Sequence, residues 1–148
     1  MQDLCYTVFR TRWGYFGLAV VDDAVSRTCL PMADREETQQ RLLADLNHNG
    51  RAIPLNQGLL PGLQERIVAY FEGEPIDFRV DPPLAPGRVT TFSRKVLDAC
   101  RAIPFGRTIT YSDLAKHVGC PGAARAVGGV MAANPIPLII PCHRVLRT

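Results

Sequence analysis

The chain has 148 residues, of which 47% are hydrophobic and 21% charged, and its net charge is +3. This balance is typical of a soluble globular protein of one domain or two small ones, and no apolar run approaches the roughly 20 residues that span a bilayer. The N-terminal residues lack a basic start followed by an apolar core, so we expect no secretory signal.

The cysteines are odd in number and irregular in spacing, which disfavours a disulfide framework and indicates a reducing, cytoplasmic compartment. They are Cys5, Cys29, Cys100, Cys120 and Cys142. Cys5 and Cys29 could be combined with His48 into a zinc site, but their spacing matches no metal motif. We therefore predict neither a metal nor a cofactor.

The first thirty residues alternate between apolar and polar side chains, a pattern that predicts an antiparallel meander of three strands. The strands are predicted in "CYTVFRTRW", "YFGLAVV" and "AVSRTCLPM". Gly14 separates the first two strands, and Asp22-Asp23 forms the turn before the third.

Two helices are predicted after the sheet. In "DREETQQRLLADLN", Asp34 and Glu37 fit the start of a capping box, and Leu42, Leu43 and Leu46 form one apolar stripe. In "LLPGLQERIVAYFEGE" an apolar face is followed by a glycine that can cap the C-terminus. That face and its cap are Leu63, Ile67, Tyr70, Phe71 and Gly73.

The stretch "IDFRVDPPLAPG" predicts an edge strand and then a linker rich in proline and glycine, where we place the domain boundary. The charge changes at the same point. Residues 1–87 carry 8 Lys+Arg against 12 Asp+Glu, whereas residues 88–148 carry 9 Lys+Arg against 2 Asp. A basic second domain is typical of a phosphate-binding face, although a solvated surface without a partner explains the charge equally well.

The second domain is predicted to be helical. Thr90 or Thr91 can cap "FSRKVLDACRAI", whose inward residues are predicted to be Phe92, Val96, Leu97 and Cys100. Ser112 is the expected N-cap of "TITYSDLAKHVG", and a turn at Gly119–Pro121 leads into "GAARAVGGVMAAN". Two helices joined by a short turn with glycine form either a helix-turn-helix or an ordinary helical hairpin.

The last predicted helix is poor in residues that read bases, because Arg125 is its single long polar side chain. Gly128 and Gly129 in its interior cost about 1 kcal/mol each relative to alanine, so close approach of another backbone is expected. That backbone belongs either to this protein or to a nucleic acid bound without sequence preference. In the second case Arg125 could fill the gap that an extruded base leaves.

Near the C-terminus, a buried strand is predicted at Leu138–Ile140, followed by Cys142 and His143. A thiol attacks as its thiolate, and Cys142 is the cysteine with an imidazole and a guanidinium directly after it. Neighbours on an extended segment point to opposite sides, so a water molecule or a bend at Pro141 is needed to couple the pair. Alternatively, Cys142 is buried and inert.

Three segments together resemble the 6-O-alkylguanine-DNA alkyltransferase family (methylated-DNA–protein-cysteine methyltransferases). They are "TYSDLA", "GAARAVGGVMAANP" and "PLIIPCHRV", within residues 91–148. The resemblance implies an α/β protein. Its N-terminal domain, residues 1–87, has an antiparallel sheet plus helices and is ribonuclease-H-like. An all-α helix-turn-helix domain, residues 88–148, carries the "PCHRV" active-site segment.

The resemblance also implies roles for individual residues. Cys142 would accept the alkyl group, and His143 would act as its base through a water molecule. Tyr111 would rotate a phosphate and assist proton delivery, Arg125 would replace the flipped nucleotide, and Asn134 would be a hinge. Further implied positions are the pocket residues Met131, Pro137 and Val145 and the DNA contacts Ser93, Ser112 and Ala124.

The implied function is DNA repair by a single-turnover transfer from alkylated guanine in double-stranded DNA. We expect a monomer without membrane association, in the cytoplasm with the nucleoid or in a nucleus. The alternatives are a lesion-binding relative without transfer activity, a helix-turn-helix regulator, and a Cys-His hydrolase.

Members of the family continue beyond "PCHRV" with a pocket-closing loop and a helix whose glutamate orients the histidine, whereas the printed sequence stops at Thr148. Loss of an orienting carboxylate can cost orders of magnitude in rate. We therefore expect these 148 residues alone to bind DNA and to transfer alkyl groups slowly or not at all.

Overall fold

The computed structural model describes residues 3–46 and 50–147. Contacts divide these residues into two compact units. The first contains the described residues up to Ile76 together with Pro82–Pro86, and the second contains Asp77–Asp81 and the described residues from Gly87 onward. Among the described residues, no helix has the length and apolar character that crossing a membrane requires.

The first unit is built on an antiparallel sheet of three strands in the order β1-β2-β3, as predicted. The strands are β1 (Leu4–Thr11), β2 (Gly14–Val21) and β3 (Ala24–Met32). Asp22 and Asp23 both have positive φ, 49° and 65°, which matches the twist of a two-residue hairpin turn. Gly14 has φ +124°, and a Cβ there would lie 2.4 Å from the carbonyl oxygen of Met32, so only glycine fits.

Helix α1 (Arg35–Asp45) follows the sheet, and Asp34 is its N-cap, as predicted. The Asp34 carboxylate accepts a hydrogen bond from the Glu36 amide at 3.0 Å. Leu42 and Leu46 of the predicted stripe are buried with sheet residues in one apolar cluster, which Leu43 joins from its edge. The alternative of a zinc site at Cys5, Cys29 and His48 cannot be compared with the structure, because His48 lies outside the described residues.

Helix α2 (Pro61–Phe71) buries Leu63 and Ile67 of the predicted face and is followed by Gly73 at φ +101°. The ring centroids of Phe16 and Phe71 lie 6.0 Å apart, which packs the end of α2 against the sheet. The indole N–H of Trp13 donates to the Phe71 carbonyl at 3.1 Å and joins the β1–β2 turn to the same helix end.

The edge strand predicted in "IDFRVDPPLAPG" is not formed. Instead, a single bridge joins Val25 and Leu84. The Val25 amide donates to the Pro83 carbonyl at 2.9 Å, and the Ala85 amide donates to the Val25 carbonyl at 2.8 Å. Prolines on both sides of Leu84 lack the N–H groups that a longer ladder requires.

The second unit contains α3 (Thr91–Arg101), α4 (Tyr111–His117) and α5 (Ala124–Ala132). Thr90 caps α3, and its hydroxyl oxygen accepts from the Ser93 amide at 3.1 Å. The three helices pack together and bury an apolar core, which includes Val96, Leu97, Cys100, Leu114, Ala115, Val127 and Met131. A parallel pair of short strands, β4 (Ile109–Thr110) and β5 (Val145–Leu146), adds to the predicted helical domain.

The prediction of Ser112 as the N-cap of α4 was wrong. The N-cap is Thr110, which is extended at φ −84° and ψ 160° and whose hydroxyl oxygen accepts from the Asp113 amide at 3.1 Å. The helix can begin two residues earlier because Thr110 also ends β4, so the chain is already extended there. Ser112 lies inside the first turn.

Replacing Thr110 by alanine removes this cap, so we expect the free energy of unfolding to fall by about 1 kcal/mol. Chemical denaturation followed by far-UV circular dichroism measures the change. Thr110→Ser keeps the hydroxyl and should retain most of the stability. Equal losses in both variants would show that the methyl group matters and the cap does not.

Candidate DNA-binding and cysteine site

Helices α4 and α5 pack against each other and against α3, with a turn at Gly119–Ala123 between them. Gly119 has φ +82° and Gly122 φ +88°, so glycine permits this short connection. One face of α5 is exposed, and it presents small residues around one cation. The exposed residues of α5 are Arg125, Ala126, Gly129 and Ala132.

The two glycines of α5 have different surroundings. A Cβ on Gly128 would lie 3.5 Å from Cε2 of Tyr111, so the tyrosine ring packs against the helix at this point. Around Gly129, apart from the neighbouring residues and backbone of α5 itself, no heavy atom of the described residues lies within 4 Å of such a Cβ. Of the two alternatives, a segment of this protein does approach Gly128, but through a side chain and not through its backbone, and the approach of a nucleic-acid backbone remains a prediction. A tyrosine ring covers one glycine, and the other faces open space.

The apolar run before the cysteine forms a turn where a strand was predicted. Leu138 has φ +78°, and the chain folds back so that Pro137 and Ile140 form a bridge. Leu138, Ile139 and Ile140 are buried at 4%, 1% and 2% exposure. The prediction failed because apolar character indicates burial, whereas the flanking prolines and the positive φ favour a reversal of the chain.

Asn134 joins the end of α5 to this turn. Its side-chain amide donates to the Ile140 carbonyl at 2.8 Å, and its side-chain oxygen accepts from the Ile136 amide at 2.9 Å. Its own backbone amide donates to the Met131 carbonyl at 3.3 Å. The bonds fix the segment before Cys142 to the helix that carries Arg125.

Residues Pro141–Val145, hereafter the cysteine turn, contain one turn of 3-10 helix at Cys142–Arg144. The Cys142 amide donates to the Ile140 carbonyl at 2.8 Å, and the Arg144 amide donates to the Pro141 carbonyl at 2.8 Å. The premise of an extended segment was therefore wrong, whereas the bend at Pro141, which was one of the two predicted alternatives, is present. Neighbouring side chains of a 3-10 turn are about 120° apart, so Cys142 and His143 do not point in opposite directions.

Cys142 is partly exposed, which contradicts the alternative of a buried, inert thiol. Cys100, by contrast, is fully buried. Its burial, together with the negative charge of a Cys142 thiolate, raises the pKa of Cys100 to about 12. Cys100 is thus a core residue, and Cys142 is the cysteine suited to react.

His143 is exposed at the rim of the turn, yet its ring loses part of its hydration against the protein. This burial, and secondarily the positive charge of Arg144, lowers the pKa of His143 below its usual 6.5. The imidazole is therefore neutral at pH 7 and is able to accept a proton.

Arg144 is a residue whose role the sequence reasoning missed. Its Nη1 atom donates to the Ile103 carbonyl at 2.7 Å, and its guanidinium carbon lies 5.6 Å from the ring centroid of Phe105. Both partners belong to the loop after α3. The sequence marked Arg144 as a neighbouring charge, but nothing in the sequence identified a carbonyl distant along the chain as its acceptor.

The predicted site residues fall into two sets. Pairing of Ile109 with Val145 brings the cysteine turn beside the start of α4, where Tyr111 lies. Met131 and Val145 are buried and Pro137 is half-buried in the same region. The proposed DNA contacts lie on the helices instead: Ser93 in the first turn of α3, Ser112 in that of α4, and Ala124 at the start of α5. No hydrogen bond of the described residues joins Ser93 to the cysteine turn; its hydroxyl accepts from Thr90 at 3.0 Å.

The fold and the site define an α/β protein of two units, with a helix-turn-helix next to a partly exposed cysteine. A family model for the DNA-binding domain of 6-O-methylguanine DNA methyltransferase matches residues 91–148. The methylated-DNA–protein-cysteine methyltransferase of Mycolicibacterium paratuberculosis is 42% identical over 91 residues, which are 62% of this chain and 53% of that protein. The chain thus spans about half the length of the curated relatives it matches.

Solved structures extend the likeness to both units. A variant of the Mycobacterium tuberculosis O6-methylguanine methyltransferase aligns with a TM-score of 0.79 and 30% identity, covering 98% of this chain and 79% of that one. The Mycobacterium tuberculosis OGT in complex with DNA aligns with a TM-score of 0.76 and 31% identity, covering 97% and 78%. The chain belongs to the O6-methylguanine-DNA methyltransferase family.

Proposed function

We propose that this protein repairs DNA by moving an alkyl group from O6 of guanine to Sγ of Cys142, once per molecule. The single observation that carries the proposal is the partly exposed Cys142 on a turn that Asn134 fixes to the exposed α5 helix. The names of the relatives describe this reaction, and one solved relative is a complex with DNA.

In the proposed reaction, the Cys142 thiolate attacks the alkyl carbon opposite the guanine oxygen. A carbon–sulfur bond forms, the carbon–oxygen bond breaks, and the electron pair goes to the guanine, which takes up a proton. Neutral His143 accepts the thiol proton through a water molecule, and Tyr111 assists protonation of the leaving guanine. No step of this sequence needs a cofactor, and the thioether product is stable, so the protein acts once.

DNA binding is assigned to the second unit. Its charge of 9 Lys+Arg against 2 Asp favours phosphates, and the small side chains of α5 permit close contact with a groove. Ser93 and Ser112 lie in the first turns of their helices, where backbone amides also favour phosphate. Ala124 is the expected contact at the start of α5.

The substrate in this proposal is double-stranded DNA with an alkylated guanine turned out of the stack, held by Asn134, Met131, Pro137 and Val145 around the pocket. We propose that the protein acts as a monomer. All five cysteines are free in the structure, which supports a reducing compartment such as the cytoplasm, with the DNA of a nucleoid or nucleus as its target.

The deciding experiment incubates the protein with a duplex oligonucleotide that contains one O6-methylguanine, over a long time course. Peptide mass spectrometry should find one methyl adduct, on the peptide that contains Cys142. An unmethylated duplex is the control. Binding without any adduct would favour a lesion-binding protein, and repeated turnover would favour a hydrolase.

Arg125 is expected to fill the gap left by the flipped guanine. An aromatic side chain stacked on a base contributes about 1–3 kcal/mol, and the planar guanidinium of arginine can also stack. Arg125→Ala should therefore reduce the preference for methylated over unmethylated duplex by about 1 kcal/mol, the lower end of that range. Binding to unmethylated duplex should fall less, because that loss reflects a single charge. Arg125→Lys keeps the charge but lacks the planar guanidinium, so its preference for methylated duplex should be as low as that of Arg125→Ala. If Arg125→Lys keeps the full preference, the assignment is refuted.

The pH dependence of transfer tests His143. Its folded-state pKa is lowered, so the neutral imidazole persists at pH values somewhat below the usual 6.5 and is lost on further acidification. The ratio of the wild-type rate to the His143→Gln rate should therefore fall to half of its high-pH value only at a pH below 6.5. A midpoint at or above pH 6.5 would contradict the assignment, and rapid-quench assays between about pH 5 and 8 measure it.

A further inference from the structure

We propose that Arg144 is a positioning residue, which holds the cysteine turn against the loop after α3 and thereby aligns Cys142 for transfer. The effect on transfer rests on the proposed function, whereas the effect on the turn itself does not.

The main contact is the hydrogen bond from Nη1 of Arg144 to the Ile103 carbonyl, at 2.7 Å. The acceptor is itself fixed. Ile103 is buried at 8% exposure, and its amide donates to the Cys100 carbonyl at 3.1 Å, which joins it to the end of α3. A charged donor and a fixed carbonyl make a short and directional bond.

Phe105 provides the second contact. Its ring is 49% exposed, and the Arg144 guanidinium lies over it at 5.6 Å. The ring and the carbonyl contact the planar group from two directions, so they define its orientation as well as its position. A lysine could keep the charge, but it would not reproduce this planar arrangement.

The cysteine turn is therefore held at both ends. On one side, the Cys142 amide and the Asn134 side chain share the Ile140 carbonyl as acceptor, at 2.8 Å each. On the other side, Arg144 reaches Ile103. Loss of the Arg144 contact would loosen the turn between its two remaining attachments, the Ile140 carbonyl and the pairing of Val145 with Ile109. In-line attack is sensitive to misplacements of about 1 Å.

The positive charge of Arg144 also affects titratable groups near the cysteine turn. It contributes to the lowered pKa of His143, which keeps the imidazole neutral. It also opposes the rise in the pKa of Cys100. Arg144 therefore acts on the cysteine turn through its contacts and on His143 through its charge.

The test compares Arg144→Ala and Arg144→Lys with Arg101→Ala. Arg101 is the matched control, because its Nε donates to the Phe78 carbonyl at 2.8 Å, which is the same kind of bond at another place in the unit. Four quantities are measured: the single-turnover transfer rate from a methylated duplex, the affinity for that duplex, the reaction rate with iodoacetamide, and hydrogen exchange in the Cys142–Val145 peptide.

We expect Arg144→Ala to lower the transfer rate on the order of 10- to 100-fold while duplex affinity and the iodoacetamide rate change by less than about threefold. Small reagents need an accessible thiol, whereas transfer also needs alignment, so this split separates positioning from general damage. Hydrogen exchange of the turn should accelerate in Arg144→Ala and not in Arg101→Ala. Arg144→Lys should be intermediate, and added guanidinium ion should partly restore Arg144→Ala alone.

Each contrary result has a distinct meaning. If affinity falls as far as the transfer rate, Arg144 contacts DNA and the proposal is wrong. Unchanged transfer and unchanged hydrogen exchange also overturn it. If the wild type transfers nothing, the proposed function fails, and hydrogen exchange alone decides whether Arg144 holds the turn. If Arg144→Ala does not fold, Phe105→Leu provides the same comparison through the second contact.

Discussion

Replacing Cys142 by serine is expected to reduce alkyl transfer at least about 10³-fold, because a hydroxyl at neutral pH is a far poorer nucleophile than a thiolate. Affinity for a methylated duplex should stay within about twofold, since the substitution changes one partly exposed atom. Single-turnover kinetics and fluorescence anisotropy measure the two quantities on the same preparations.

The matched control for this experiment is Cys120→Ser. Cys120 is also partly exposed, and its Sγ lies 4.0 Å from the Val118 carbonyl oxygen, in the turn between α4 and α5. Transfer by this variant should equal that of the wild type. Should Cys142→Ser keep substantial activity, or Cys120→Ser lose it, the acceptor has been assigned to the wrong sulfur.

Much of the fold could be predicted because the signals were local. The alternation in residues 5–32 specified three strands, and Asp34 and Thr90 marked helix starts by their ability to accept a backbone N–H. Helix α4 shows the limit of this reasoning. Thr110 and Ser112 are equivalent as caps in sequence, and the pairing of β4 with residues 36 positions further along the chain decides between them.

The site was predicted less completely, for a related reason. Cys142, His143 and Asn134 were identified from the motifs they share with a family. The shape of the cysteine turn was missed, since an apolar run of three residues is compatible with a strand or with a buried turn. Arg144 was missed because its acceptor, the Ile103 carbonyl, is a backbone atom. Sequence patterns identify side chains, but they do not indicate which distant carbonyl is free to accept.

Asn134 is the second position where a large effect is expected. Asn134→Leu removes both side-chain hydrogen bonds and leaves the Ile136 amide and the Ile140 carbonyl without them, in residues of 0% and 2% exposure. A buried polar group without a partner costs about 1–3 kcal/mol. The Cys142 amide still donates to the Ile140 carbonyl, so that oxygen keeps one partner and the total loss should be about 2–4 kcal/mol.

Transfer by the folded variant should also fall, because Asn134 connects the helix proposed to contact DNA with the turn that carries the thiol. We expect a fall on the order of 10²-fold in the transfer rate of the folded variant, measured at a temperature where circular dichroism shows it folded. Asn134→Asp keeps an acceptor for the Ile136 amide but places a carboxylate against the Ile140 carbonyl. Its transfer rate should therefore be as low as that of Asn134→Leu, and its free energy of unfolding should fall less. Asn56→Leu removes an exposed bond to the Gly58 amide in the first unit and should change neither quantity. A transfer rate that falls only in proportion to the unfolded fraction would show that Asn134 supports the fold without aligning Cys142.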